Sequence, residues 1–411
     1  MLRNYLTVSL KILGRRKYFT FVSLFGIGFT LLVLTLAAAM LDHVFGAYPP
    51  ETRAARTLSV QAVRMQGKES TSTGPAGYAF YDRYFRDLPG VERLSLMTQP
   101  STVVSYWKGA RLKSILKRTD ENYFRILDFD FSEGGPFGEA DVESGRFVAV
   151  INETTRQKFF GAGKAVGESI EADGQTFTVV GVVPDVPVYR LLANGDIYVP
   201  LTTAKSDDYK TKLRGGILAL FLAKDAGSIP LVQQEFKARL SKVELPEQFD
   251  RVYAMPETPF ASVARLFFGD FESDSASGRL LALLLTAAFL FMLLPAVNLV
   301  NLNVSRALER ASEIGVRRAF GASARDLMLQ FLFENVIVSV VGGVLALVAS
   351  AFLLAALNGS GLIPYAHFSL NFRIAAWGFG FALAFGVVSG VWPAWRLSRL
   401  NPIAALSGGT R

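Results

Sequence analysis

The stretch Leu280-Leu-Ala-Leu-Leu-Leu-Thr-Ala-Ala-Phe289-Leu-Phe-Met-Leu-Leu-Pro295-Ala-Val-Asn298-Leu-Val-Asn301-Leu-Asn303 and the charged segment behind it, Val304-Ser-Arg306-Ala-Leu-Glu309-Arg310-Ala-Ser-Glu313-Ile-Gly315-Val-Arg317-Arg318-Ala-Phe-Gly321-Ala-Ser323, decide the architecture. The first is apolar over roughly the 20 residues that a helix needs to cross a hydrocarbon core of about 30 Å. A second apolar run begins near Leu327. Between the two lies a cationic hinge, with Arg306, Arg310, Arg317, Arg318 and Arg325 set against Glu309, Glu313 and Asp326. It is rich in helix formers and reads as a short helix held at one membrane face.

The run Arg310-Ala-Ser-Glu313-Ile314-Gly315-Val-Arg317-Arg318-Ala-Phe-Gly321-Ala resembles the signature of the MacB/FtsX/LolC-type ABC transporter permeases, R-x-x-E-I-G-x-R-R/K-A-x-G-A. The C-terminal run Trp392-Pro393-Ala394-Trp395-Arg396-Leu-Ser-Arg399-Leu-Asn401-Pro402-Ile-Ala-Ala405-Leu406 is similar to that family's closing motif, with Ser407 where an arginine is usual. The resemblance implies that Arg306, Arg310, Glu313, Ile314, Gly315, Arg317, Arg318 and Gly321 couple the chain to a cytoplasmic ABC ATPase. ATP and magnesium would sit on that partner, with no cofactor in this chain. It also implies a second permease copy or a paralogue, and a place in the bacterial inner membrane.

Composition agrees with a few spans around one sizeable soluble domain: the 411 residues are 51% hydrophobic, and the formal charge is +8. That charge is uneven. Segments 1–17, 304–326 and 396–411 hold thirteen Lys/Arg against three acids, whereas 41–279 hold 29 Lys/Arg against 31 Asp/Glu. A nucleic-acid binder would gather its positive charge on the soluble domain; here it flanks the spans and marks their cytoplasmic ends. No cysteine is present, so an exported domain must stand on its core without disulfides. His43 and His367 each sit alone beside an apolar run. Neither belongs to a set of the three or four converging ligands that zinc requires, and no metal site is expected.

From the N-terminus, Leu2, Tyr5, Leu6, Ser9, Leu10 and Leu13 share one helical face, which makes 1–17 a cytoplasmic amphipathic helix. The first span is 18–40. Its apolar run of about 23 residues is longer than the 7–15 of a signal-peptide core, so an uncleaved anchor is expected, with both termini cytoplasmic. Residues 41–279 then form a periplasmic domain. Thr57–Met65, Ala79–Leu88 and Val91–Met97 read as strand, helix, strand. Gly216–Ala223, a helix Leu231–Val243 capped by Ser228, and Phe249–Met255 repeat the pattern. Two such units predict an α+β fold: a split βαβ porter-like module (50–100 and 213–256) carrying a β-rich insert (101–212). Lys108-Gly109 and Asp173-Gly174 predict hairpin turns inside the insert. Segments of the insert, such as Asp196-Ile-Tyr-Val-Pro200, are similar to the family's extracytoplasmic domain.

Gly161-Ala-Gly-Lys164 lacks the spacing of a phosphate loop and reads as a helix cap. No other stretch matches a Walker A loop, so ATP hydrolysis is expected of a partner and not of this chain. After a linker at 256–278 come transmembrane helix 2 (280–303), the coupling segment (304–326) and helix 3 (327–357). A short outer loop (358–370), helix 4 (371–395) and a cytoplasmic tail (396–411) complete four spans. Glu334 stands near the cytoplasmic end of helix 3 with no second carboxylate in any span, which is weak ground for a proton relay. Gly386 and Gly390 form a small-xxx-small pattern for close helix packing. Taken with this layout, the family resemblance implies a non-catalytic permease for efflux or extraction. It acts by mechanotransmission on a peptide, drug or lipoprotein client, with a periplasmic adaptor as a further partner. The competing reading is an FtsX-like signalling scaffold that activates a periplasmic partner without transport.

Overall fold

A computed structural model describes residues 17–272, 276–309, 323–363 and 368–398, together with the single positions Val316, Phe320 and Tyr365. The chain divides into a large domain, Val44–Leu281 with Ile363–Ala366, and a helical unit made of the segments on either side. The first long helix, α1 (Lys17–Phe45), leads to β1 (Thr57–Val60), β2 (Val63–Gln66), β3 (Thr71–Gly74), α2 (Tyr78–Tyr84) and β4 (Val91–Thr98). Next come β5 (Ser101–Trp107), β6 (Ala110–Thr119), α3 (Asn122–Ile126), β7 (Glu133–Gly134), α4 (Glu139–Glu143), β8 (Val148–Asn152), α5 (Glu153–Phe160), β9 (Ser169–Ala172) and β10 (Gln175–Val183). The domain closes with β11 (Ile197–Pro200), β12 (Ile217–Ala223), α6 (Ile229–Leu240), β13 (Arg251–Tyr253) and α7 (Pro259–Phe268).

β12 is the hub. It runs antiparallel to β1 on one side and to β4 on the other, so a strand of the second unit splits the two strands of the first. All seven of its residues are buried, because both of its faces are covered. Successive strand side chains point to opposite faces. Accordingly Ile217, Ala219, Phe221 and Ala223 join Phe80 of α2, Phe85 at its C-terminal cap, and Val232 and Phe236 of α6. Leu218, Leu220 and Leu222 join Tyr123 and Phe124 of α3. The first of these cores centres on Phe85 stacked on Phe236 at 4.0 Å between ring centroids.

The expected strand Thr57–Met65 is broken at Gln61-Ala62. Its first half pairs with β12, and its second half, β2, lies between β3 and β13 in a separate three-stranded sheet. The strand expected over Phe249–Met255 is thereby shortened to β13 and pairs with β2. The cap expected of Ser228 also differs. Asp225 accepts from both the backbone N and the Oγ of Ser228, closing a 3₁₀ turn ahead of α6, which then starts with Pro230 in its first turn.

The strands of 101–212 do more than decorate the sheet. β6 pairs with β11, β11 with β8, β8 with β10, β10 with β9, β9 with β5, and β5 back with β6. The six close into a ring, which removes the unpaired edges that an open insert would expose. Its inner side chains include Leu116, Ile151, Ile170, Phe177, Val179 and Ile197. The pair Met97↔Thr119 joins the ring to β4. Both hairpins turn where expected: Lys108 and Gly109, and Asp173 and Gly174, all have positive φ, as a two-residue type I′ loop demands.

The helical unit contains α1, α8 (Ala276–Glu309), α9 (Ala324–Ser360) and α10 (Phe372–Ser398). Three of these are long and apolar enough to cross a membrane, over Thr20–Phe45, Ala276–Leu302 and Met328–Ser360. Among the described residues the apolar run of α10 is the shorter Ala375–Val388. Every helix runs past the expected C-terminal end of its span, since helical hydrogen bonding continues where the apolar run stops. Small residues set the approach distances inside the unit. A Cβ added at Gly386 would lie 2.0 Å from Ser339 Oγ, one at Gly343 would lie 2.4 Å from the Phe379 ring, and one at Gly28 would lie 3.5 Å from Gly342 O. Gly390 has no described side-chain surroundings. At one end of the unit, His43 Nε2 accepts from Ser369 N at 2.7 Å, and Asn358 exchanges hydrogen bonds with the backbone of Phe368.

Candidate functional site at the roots of the large domain

Of the residues expected to couple to an ATPase, Arg310, Glu313, Ile314, Gly315, Arg317, Arg318 and Gly321 lie outside the described residues, as does His367. Arg306 falls on the last turns of α8. Within the same segment, Val316 and Phe320 are exposed, and Phe320 N donates to Val316 O. Ser323 and Asp326 form a reciprocal capping box that starts α9. Glu334 is buried and accepts from Gln330 Nε2 at 3.4 Å.

The groups that sequence reasoning missed stand where the chain enters and leaves the large domain. The entry follows directly on α1. Arg190, only 4% exposed, donates to Gly46 O at 3.1 Å, to Tyr48 O at 3.3 Å and to Glu51 Oε2 at 2.5 Å. Its guanidinium also lies over the Tyr48 ring. Arg190 sits on the loop between β10 and β11, and that loop is itself held from below. Lys117 on β6, fully buried, donates through Nζ to Leu192 O at 2.7 Å and Leu191 O at 3.2 Å. The hydroxyls of Tyr123 and Tyr198 donate to the carbonyls of Leu192 and Ala193. Further along the entry, Arg53 donates to Arg125 O, and Arg56 to Ala223 O and Glu92. The residues leaving α1 are thus fastened to the β10–β11 loop, α3, β12 and β4 by charge-assisted hydrogen bonds, which are stronger than neutral ones.

The exit runs through the stretch expected to be a linker, 256–278. That expectation is corrected by α7, a ten-residue helix capped by Thr258 at its start and by Gly269 in the left-handed conformation at its end. Glu257 and Arg265, both less than a tenth exposed, form a bidentate ion pair at 2.7 and 2.9 Å. The planar guanidinium fork matches the carboxylate, and Glu257 is also bound to β1 through its backbone, by Ser59 N to Glu257 O and Glu257 N to Ser59 O. Arg265 Nη1 donates onward to Asp270 O at 3.1 Å. Asp270 pairs with Arg279 in the first turn of α8, whose guanidinium lies over Phe268.

Burial shapes the charges around the entry. It pushes the Lys117 ammonium down to about 7, against the pull of Glu51. It raises the Glu51 carboxyl, against the attraction of Arg190. It lifts Asp120 to about 7, although that carboxylate accepts from Ser95 Oγ, Leu96 N and Tyr123 N. Among the described residues, no group of three or more His, Asp or Glu could hold a metal ion. The arrangement is one of anchors. One signal for it was legible: Lys117 occupies an inward position of an alternating strand, where a charge is out of place unless it is bound.

Residues 20–239 match the MacB-like periplasmic core domain, and residues 285–402 match the FtsX-like permease C-terminal domain. The chain belongs to the MacB/FtsX-type ABC transporter permease family. It is 31% identical over 281 residues to the macrolide export ATP-binding/permease protein MacB of Bdellovibrio bacteriovorus, covering 66% of this chain and 40% of that one. It is 29% identical over 292 residues to the pyoverdine export ATP-binding/permease protein PvdT of Pseudomonas syringae pv. tomato, covering 70% and 42%. The uncharacterized ABC transporter permease YvrN of Bacillus subtilis is 26% identical over 294 residues, covering 70% and 68%. The chain thus spans about two fifths of the length of the first two curated relatives. The periplasmic region of MacB from Actinobacillus actinomycetemcomitans aligns with 56% of this chain at 14% identity and a TM-score of 0.39. As a MacB/FtsX-type permease the chain is a membrane protein, and its large domain is of the family's periplasmic type.

Proposed function

We propose that this chain is the permease subunit of an ATP-driven export or extraction system, in which motion made by a cytoplasmic ABC ATPase reaches a periplasmic domain that acts on a client. The client is a peptide, a drug or a lipoprotein. The ATPase is a partner chain carrying ATP and magnesium, and two permease copies, or this chain and a paralogue, form the working pair. Both termini and the 304–326 segment face the cytoplasm, in keeping with the excess of Lys/Arg there.

The observation that carries this reading is the pair of buried ionic anchors at the roots of the large domain. A domain on slack tethers would absorb a displacement of the spans. Arg190–Glu51 at the entry and Arg265–Glu257 at the exit instead tie both roots into the strand framework. A displacement of a few ångströms in either helix is then delivered to the whole domain. On this mechanism ATP-driven closure presses on Arg310, Glu313, Gly315 and Arg317, the spans act as struts, and the domain squeezes or releases its client.

The test is ATP hydrolysis by the co-purified partner in nanodiscs. Glu313→Lys, or Gly315 changed to a bulky residue, should leave membrane insertion intact and abolish coupling, seen as loss of the complex or of stimulated hydrolysis. Wild-type assembly, hydrolysis and transport by Glu313→Lys would reduce the segment to a topology signal.

A further inference from the structure

Helix α7 is built the wrong way round for a helix on the surface of a water-soluble domain. Its inward side carries Ser262, Ala264 and Arg265, all buried, with Arg265 closed onto Glu257. Its outward side carries Val263, Leu266 and Phe267, which are 42%, 49% and 66% exposed. At about 100° per residue these three fall within an arc of roughly 100°, and the arc contains no charged residue. A helix facing water turns its apolar stripe to the core and its polar residues outward. Here the ion pair is inside and the phenylalanine outside, so the outward face is made for a medium other than water.

The neighbours of the helix say which medium. At its start, Phe260 meets Phe45, the last residue of α1, edge to face at 5.2 Å. At its end, Phe268 lies under the guanidinium of Arg279, in the first turn of α8, at 4.9 Å. α7 is therefore held by side-chain contact to the last turn of one membrane-crossing helix and the first turn of another. The candidate span that ends at Phe45 is 26 residues, about 39 Å at 1.5 Å per residue, against a hydrocarbon core of about 30 Å. Phe45 therefore stands within a few turns of the hydrocarbon boundary. An arginine near the end of a span reaches out with its guanidinium to headgroup level, which suits Arg279.

We propose that α7 is an interfacial helix: Val263, Leu266 and Phe267 lie in the headgroup–acyl boundary of the lipid leaflet on the domain's side of the membrane. A helix of this kind beds its apolar face about 5–10 Å into that boundary. The Glu257–Arg265 pair then serves a second purpose, since it satisfies the one charged side chain of α7 on the domain side and leaves the lipid side free of charge. The inference rests on the membrane assignment of the family and not on coupling to an ATPase.

The natural sequence contains no cysteine, so a single introduced thiol labels uniquely. Full-length protein carrying Phe267→Cys, Val263→Cys or, as a water-facing control on α6, Lys237→Cys is spin-labelled in nanodiscs of phosphatidylethanolamine and phosphatidylglycerol. Collisions with dissolved oxygen and with a neutral nickel chelate are then measured. At 263 and 267 the oxygen-to-nickel collision ratio should exceed that at 237 several-fold. A ratio equal to the control overturns the proposal in favour of a water-facing helix. Low access to both reagents overturns it in favour of a protein partner covering the face. Both 263 and 267 are exposed positions, so folding does not depend on either substitution, and the two labels check one another.

Discussion

In the large domain, tyrosines and phenylalanines such as Tyr81, Tyr123, Tyr198, Phe80 and Phe236 are wholly buried, and the arginines that are buried with them are paired. In the helical unit the order is reversed. Phe21, Phe25, Phe29, Leu285, Phe289 and Phe352 are exposed, while the interior is drawn from Ile27, Leu31, Val338, Ala346 and Ala382. The same chain thus solves two packing problems. Where water is the solvent, apolar area is driven inside and a buried charge survives only with a partner. Where lipid is the solvent, there is little to gain from hiding a phenylalanine, and helices associate by close contact at glycine, alanine and serine. α7 belongs by sequence to the first region and by its outward face to the second.

The contrast can be broken most severely at the entry anchor. Arg190→Met leaves the Glu51 carboxylate buried without its partner and should cost the large domain about 3–5 kcal/mol. The measurement is chemical unfolding of residues 45–275 expressed alone, which we expect to fold cooperatively, with Trp107 as the fluorescent reporter. The double change Arg190→Met with Glu51→Leu should recover much of the loss, because a matched apolar pair leaves no orphan charge. If the single change costs less than 1 kcal/mol, the anchor is an ornament of the fold.

A smaller effect is expected in the helical unit, where contact distance and not charge is at stake. Gly386→Leu drives a side chain into Ser339 and should destabilise the protein by about 1–3 kcal/mol, the range for overpacking. It should be read as a lowered thermal aggregation temperature in detergent. Ser339→Gly should partly restore it, since it removes the hydroxyl that a Cβ at 386 would meet. Independent, additive effects of the two changes would mean that the helices do not meet there.

The smallest effect at neutral pH, and the most telling in its slope, is expected of Lys117→Met. The folded lysine loses its proton near 7, against 10.5 in the unfolded chain. Between those values the unfolded chain binds the extra proton, so stability rises with pH, by at most about 1.4 kcal/mol per unit. Asp120 acts with the opposite sign. Its folded value is about 7 against 3.8 unfolded, so the stability it contributes is present at low pH and lost as pH climbs towards 7. Unfolding at pH 5, 7 and 9 should therefore show a minimum near neutrality for the native domain. Lys117→Met should flatten the alkaline arm alone, and Asp120→Asn the acidic arm alone. An unchanged alkaline arm in Lys117→Met would remove that lysine from the account.

What the sequence determined by itself is whatever a few neighbouring residues decide. The positive φ at Lys108-Gly109 and Asp173-Gly174, the helix end at Gly161 and the long apolar runs of α1, α8 and α9 all follow from chemistry within a turn or two. The helices α2 and α6 and the strands β4 and β12 were legible for the same reason, and the permease family was legible from motifs in the 310–322 and 392–406 stretches. What only the tertiary structure decided spans large separations in the chain. The ring closes where β5 meets β9, the first strand breaks between two sheets, Arg190 reaches Glu51 across 139 positions, and a stretch read as a linker folds into a helix with its apolar face outward. Local propensity carries no information about a partner a hundred residues away, and an amphipathic pattern states that a helix has two faces without stating which of them meets the core.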